Sequence, residues 1–142
     1  MYPLHQNDTG SFQELAHASD VEFGQLSLLT VNPRCKRGGH YHTHKKEWFC
    51  CVRGECYLVA TDIRTKNHKS FFLDANCPEF MPVNPYESHT VLNPNDTTCG
   101  LLVISSEEYD PDNPDTIKCR TYPDECEVHG VTNCQACGGR KR

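Results

Sequence analysis

Turn-forming residues break this chain into short pieces at a nearly regular interval, and few folds accept that rhythm. Residues 25–31 (QLSLLTV) end at Asn32-Pro33, and residues 40–43 alternate around Tyr41. Residues 48–52 stop at Arg53-Gly54, and residues 55–61 return after that tight turn. Residues 71–73 precede Asp74-Ala75-Asn76, and Phe80 and Met81 lead into a turn holding Pro82, Asn84 and Pro85. Residues 88–92 and 99–105 are the last clear strands. Short β-rich runs with turn signals every eight to twelve residues or so define an all-β sandwich or barrel. Nine prolines and nine glycines in 142 residues argue equally against a helical bundle. That length suits one domain.

After Tyr109 the character changes. Residues 110–114 (DPDNP) form an acidic turn segment, and the remainder of the chain carries Cys119, Cys126, Cys134 and Cys137 with almost no apolar periodicity. The expected organisation is therefore a barrel over residues 1–118 and a Cys-rich tail over 119–142, an appendage without a core of its own.

Charge and composition narrow the function. Formal net charge is −5, and the basic residues gather around a histidine cluster: Arg34, Lys36, Arg37, Lys45 and Lys46. A basic rim on an acidic chain suits a small anionic ligand better than nucleic acid. No run reaches the ~20 apolar residues of a membrane-spanning helix. The start, MYPLHQ, lacks the basic and apolar regions of an export signal, so a cytoplasmic protein is expected. In that setting the two Asn-Asp-Thr sequons carry no meaning. Ten cysteines do not make a secreted disulfide scaffold without such a signal. Cys50, Cys51 and Cys56, set among Trp48, Phe49, Val52 and Tyr57, read as small core hydrophobes.

The most informative stretch is RGGHYHTHKKEWFCCVRG, residues 37–54. On a strand, His40 and His42 project from one face. Glu47 comes after a span long enough for a turn that brings the next strand alongside, and Gly54 closes the returning strand as a hairpin turn. His89, on the later strand in ESHTVLN, completes three imidazoles and one carboxylate. That N/O set suits zinc first, with iron, manganese, nickel or cobalt as alternatives. His44 shares the parity of the first two histidines, but its spacing to Glu47 is too tight, which leaves it in the pocket wall.

H-x-H-x4-E-x6-G, followed about forty residues later by His89 and Asn93, resembles the paired motifs of the cupins, which are double-stranded β-helix or jelly-roll barrels. More narrowly, residues 8–120 resemble the C-terminal cupin domain of bifunctional capsular-polysaccharide epimerase/reductases, whose substrates are UDP-linked 4-keto-6-deoxy amino sugars. DTGSF (8–12), RGGHYHTHKKEWF (37–49), His89 with Asn93, and DPDNPDT (110–116) carry the likeness. It implies His40, His42, Glu47 and His89 as metal ligands, a sugar nucleotide as the small-molecule partner, and epimerisation beside a ketone. RGGHY also resembles the Arg-Gly-x-His-Tyr segment of deoxysugar 3,5-epimerases, in which the matching histidine is a base and no metal is used. Glu47 and His42 favour the metal reading. The loop before His89 (PVNPYES) departs from the usual cupin spacing, and the partner reductase domain is not in this sequence.

Epimerisation next to a ketone needs a base, an acid and a partner for the developing negative charge. Lys45, His44, Tyr41 and Tyr86 are the expected proton carriers; an amine or phenol in that role needs its pKa lowered. Arg37 and Arg34 match phosphate oxygens. Two rival functions use the same ligand set: an Fe(II)-dependent cupin oxygenase of a small molecule, and a non-catalytic sugar-binding cupin. Cys119, Cys126, Cys134 and Cys137 could close a second, structural zinc site. Edge strands make a homodimer the default expectation.

Overall fold

The computed structural model describes residues 1–119 and 121. Among them the regular elements are all strands, and no helix is long and apolar enough to cross a membrane. In order they are β1 (Leu4–Asn7), β2 (Gly10–Gln13), β3 (Gln25–Val31), β4 (Cys35–Tyr41), β5 (Glu47–Arg53), β6 (Glu55–Asp62), β7 (His68–Asp74), β8 (Met81–Val83), β9 (Glu87–Asn93), β10 (Cys99–Ser105) and β11 (Ile117–Lys118). β3 and β10 fall where alternation and turn residues place them. β1, β2 and β11 are additions, since their short, mostly exposed runs give no burial pattern to read.

Strands β1 and β2 form a separate ribbon. The rest make two antiparallel sheets, ordered β3-β10-β5-β8 and β11-β4-β9-β6-β7. Both inner faces contribute to one core: Val31, Phe49, Cys51, Val83, Leu101 and Val103 from the first sheet, Cys56, Leu58, Leu73 and Val91 from the second. Cys50, Cys51 and Cys56 are at most 1% exposed, as their apolar neighbours imply.

One expectation is corrected. The hairpins expected on either side of β5 are corners, because β4, β5 and β6 alternate between the two sheets. The cause is burial. Residues 48–51 of β5 and all of β9 are buried, so each needs a neighbour on both edges. β5 finds β10 and β8, while β9 finds β4 and β6. The chain must therefore cross the barrel at Arg53-Gly54, where Gly54 takes φ 71°.

Two residues of the Cys-rich segment, Cys119 and Thr121, bond to the barrel. Cys119 donates its backbone N–H to the Gly39 carbonyl, and buried Thr121 bonds Ser88 and Thr90. Cys126, Cys134 and Cys137 lie outside the described residues.

Candidate metal centre and its cavity

His40 faces the barrel interior because β4 carries a bulge. Along the β4–β9 ladder Arg37 opposes Val91 and Gly38 opposes Thr90, but His40, not Gly39, opposes His89. The extra residue reverses parity, and without it His40 would point outward. Only glycine fits there. A Cβ on Gly38 would stand 2.5 Å from the His89 carbonyl oxygen and 2.9 Å from Thr90 Cα, and Gly38 and Gly39 take φ 122° and 75°. The Gly-Gly pair in RGGHY is therefore what aims the first histidine.

His42 lies just beyond β4, and His89 comes from the adjacent β9. Glu47 starts β5 on the facing sheet. One ligand atom from each of the four lies within 4.8 Å of the others, so the two sheets jointly build the cluster. The hydrogen bonds then fix which nitrogens face inward. His42 Nδ1 lies 2.6 Å from the Asp115 carbonyl and His89 Nδ1 lies 3.0 Å from the Glu87 carbonyl. A carbonyl only accepts, so both Nδ1 atoms carry the proton, and in a neutral ring each Nε2 keeps its lone pair. Those lone pairs face Glu47 Oε1 at 2.8 Å and 3.2 Å. Acceptors turned on one another in a buried site call for positive charge between them. His89 Nε2 is buried and makes no hydrogen bond, its 3.2 Å approach to Glu47 being poorly aligned for one. Backbone carbonyls that hold the outer nitrogen are the usual way to aim a histidine ligand at a metal. The residues present fit a divalent ion.

The electrostatics agree. Burial, reinforced by His89 and His42, pushes His40 down to about 4, which favours the neutral ring a metal needs. Burial works against ionised Glu47, but the His42 and His89 rings set against it outweigh burial and hold the carboxyl well below its usual range. Its other oxygen, Oε2, accepts a bond from Ser105 Oγ at 3.0 Å.

A cavity of about 330 Å³ opens over this cluster, within the range of small-ligand pockets. His40, Glu47 and His89 line it, with Arg37, Lys45, Ser105 and Tyr109 among the walls. Lys45 is 8% exposed, and its Nζ lies 6.0 Å from the centre of the Tyr109 ring. A larger open concavity of about 680 Å³ runs along the β1–β2 ribbon, where His5 is the one titratable side chain, so it carries no comparable chemistry.

Four expected site residues are not brought to this cavity. Tyr41 alternates to the opposite face from His40 and stacks on Tyr86, their ring centres 6.1 Å apart, with Arg64 over the Tyr86 ring. His44 is half exposed and turned outward between Glu107 and Asp115, because its loop wraps around the Asp115 carboxylate. Arg34 precedes β4 at the opposite end of the barrel and pairs with Asp96; at about 3.3 Å per strand residue it sits roughly 20 Å from His40. Arg37, on the cavity wall, is the expected phosphate partner that the fold does place. Sequence reading missed Ser105 and Asp115. A serine ending an apolar strand gives no signal of its own, whereas Asp115 sits in the DPDNPDT segment that stood out without a role.

Two antiparallel sheets closed around inward histidines and a glutamate define a cupin. The chain belongs to the family described as the polysaccharide biosynthesis C-terminal domain, whose model matches residues 5–117. A curated relative, UDP-2-acetamido-2,6-beta-L-arabino-hexul-4-ose reductase of Pseudomonas aeruginosa, is 29% identical over 117 residues, which are 82% of this chain and 31% of the relative. The capsular polysaccharide assembling protein CapF of Staphylococcus aureus shares the fold at a TM-score of 0.66 and 23% identity, over 84% of this chain and 34% of that one. NovW, a 4-keto-6-deoxy sugar epimerase of Streptomyces spheroides, matches at 0.68 and 20% identity, over 78% of this chain and 63% of that one. The chain thus spans about a third of the length of the reductase and of CapF.

Proposed function

We propose that this domain binds one divalent metal through His40, His42, Glu47 and His89 and epimerises or isomerises a nucleotide-linked 4-keto-6-deoxy sugar during polysaccharide assembly. The observation that carries the reading is His89 Nε2, buried and unbonded beside the Glu47 carboxylate at the edge of a ligand-sized cavity. The family description, the reductase relative and the epimerase NovW support the sugar-nucleotide substrate class. When bound, a divalent ion supplies Lewis-acid stabilisation of negative charge developing on a ketone oxygen. Lys45 is the proton carrier that enters the cavity with the ligands: its Nζ takes the proton from the carbon beside the ketone, and inversion follows when solvent in the open cavity supplies a proton to the opposite face. Arg37, at the mouth, binds the diphosphate with its guanidinium fork.

The test is metal analysis of protein purified without added metal, followed by incubation with UDP- and dTDP-linked 4-keto sugars in deuterated water. One equivalent of metal and deuterium at the carbon beside the ketone are expected, with exchange lost in Lys45→Ala. Tight sugar-nucleotide binding without exchange, or oxygen consumption with bound iron, overturns the epimerase reading.

A further inference from the structure

We infer that Asp115 is a positioning residue for the metal ligands, the template on which the loop between His42 and Glu47 folds. This rests on the metal reading above. The loop of residues 43–46 has little reason of its own to hold one shape, since it is short, polar and joins strands of opposite sheets. While Lys46 exchanges bonds with Ser106, the carboxylate of Asp115 shapes residues 43–45. Oδ1 accepts the backbone N–H of Thr43 at 2.8 Å and the Thr43 hydroxyl at 2.5 Å, and Oδ2 accepts the N–H groups of His44 and Lys45, each at 3.1 Å. Three successive N–H groups around one carboxylate form an anion nest. The main chain of the same residue acts on the ligand directly, because its carbonyl takes the Nδ1 proton of His42. One residue thus fixes the ring of one ligand and the span that leads to the next.

Asp115 has φ 47°, a left-handed conformation that aspartate tolerates better than most side chains. It also sits two residues before β11, which pairs with β4 at Tyr41 and His40. The hold on the His42 loop is therefore anchored to the strand that bears His40. Burial works against an ionised Asp115, but its bonds to Thr43 and the loop amides keep the carboxyl well below its usual range.

The test compares wild type, Asp115→Asn and Asp115→Gly, and Gly keeps the left-handed backbone accessible. Zinc affinity is measured by chelator competition, cobalt(II) coordination by its visible spectrum, and metal-free folding by circular dichroism and thermal melting. Loss of outer partners of metal ligands typically weakens metal binding about 10–100-fold. Asp115→Gly should fall in that range with an altered cobalt spectrum, Asp115→Asn should fall less, and formate should restore part of the Gly variant's affinity by refilling the nest. If Asp115→Gly does not fold, Asp115→Asn alone decides, by weaker zinc binding at an unchanged metal-free melting temperature. Unchanged zinc affinity in the folded variants, against a wild type that binds zinc, overturns this inference alone. A wild type that binds no metal overturns the metal reading and this inference with it.

Discussion

Three strands, β5, β9 and β10, serve both ends of the barrel, and the ends are opposites. At one end β4, β5, β9 and β10 supply His40, Glu47, His89 and Ser105 around an open cavity. At the other, β5 and β10 supply the buried thiols of Cys51 and Cys99, β6 adds Cys56, and β9 ends in Asn93. Asn93 is fully buried and its bonding is complete: Nδ2 donates to the carbonyls of Val31, Asn32 and Thr97, and Oδ1 accepts from Asn95 N–H. The Cys56 thiol lies within bonding reach of Cys51 and Cys99, and those bonds with burial drive its pKa far above the ordinary range, so it stays an inert thiol. His89 shares a strand with Asn93, yet its Nε2 is buried without a bond. An end whose polar groups are all satisfied holds the fold together. An end with an unpaired lone pair is built for something it does not itself contain.

Substitutions should separate the two ends. The largest effect is expected from Gly38→Ala, which drives a methyl into the backbone of β9 at His89 and Thr90 from a φ that side chains resist. Roughly 3 kcal/mol of stability or more should be lost, together with metal binding. Denaturant titration and metal analysis measure both, and a stable, metal-loaded Gly38→Ala protein would refute the bulge argument. Asn93→Ala should cost about 2–3 kcal/mol by stranding several carbonyls at the closed end, while the folded protein keeps its metal affinity. A drop in affinity there would show that the ends are coupled.

The smallest effect is on pH dependence. Metal-free His40 resists protonation until about 4, whereas the unfolded chain takes up that proton near 6.5. The unfolded state thus binds the extra proton first. His40 costs no stability above about pH 6.5, and stability falls as pH drops from there toward about 4. The slope is bounded by about 1.4 kcal/mol per pH unit and reduced by the ring's partial exposure. Denaturant titrations with chelator should show a shallower slope for His40→Gln, and equal slopes would remove His40 as the source.

The His-x-His pair, the glutamate after it and the later histidine were legible in the sequence because ligand chemistry restricts residue types more than position does. The strands at 25–31 and 99–105 were legible because their turns and alternation are local. What stayed hidden was long-range or geometric. Gly38-Gly39 reads as a generic turn until the β9 register shows a bulge. Hairpin and corner look alike at Arg53-Gly54, because the choice belongs to β8, β9 and β10. Tyr41, His44 and Tyr86 lie near the ligands in sequence, but strand alternation and the wrapped loop turn the first two away, and Tyr86 stacks on Tyr41. Asp115 stood in a noticed motif, but nothing local says which loop it holds.

The bond from Asp115 to Thr43 spans 72 positions of chain. During synthesis His40, His42 and Glu47 leave the ribosome long before the residue that shapes their loop exists, and contacts so distant form late because a long stretch must first be drawn together. The complete ligand set is therefore a product of finished assembly, and a nascent chain can offer an ion only fragments of it.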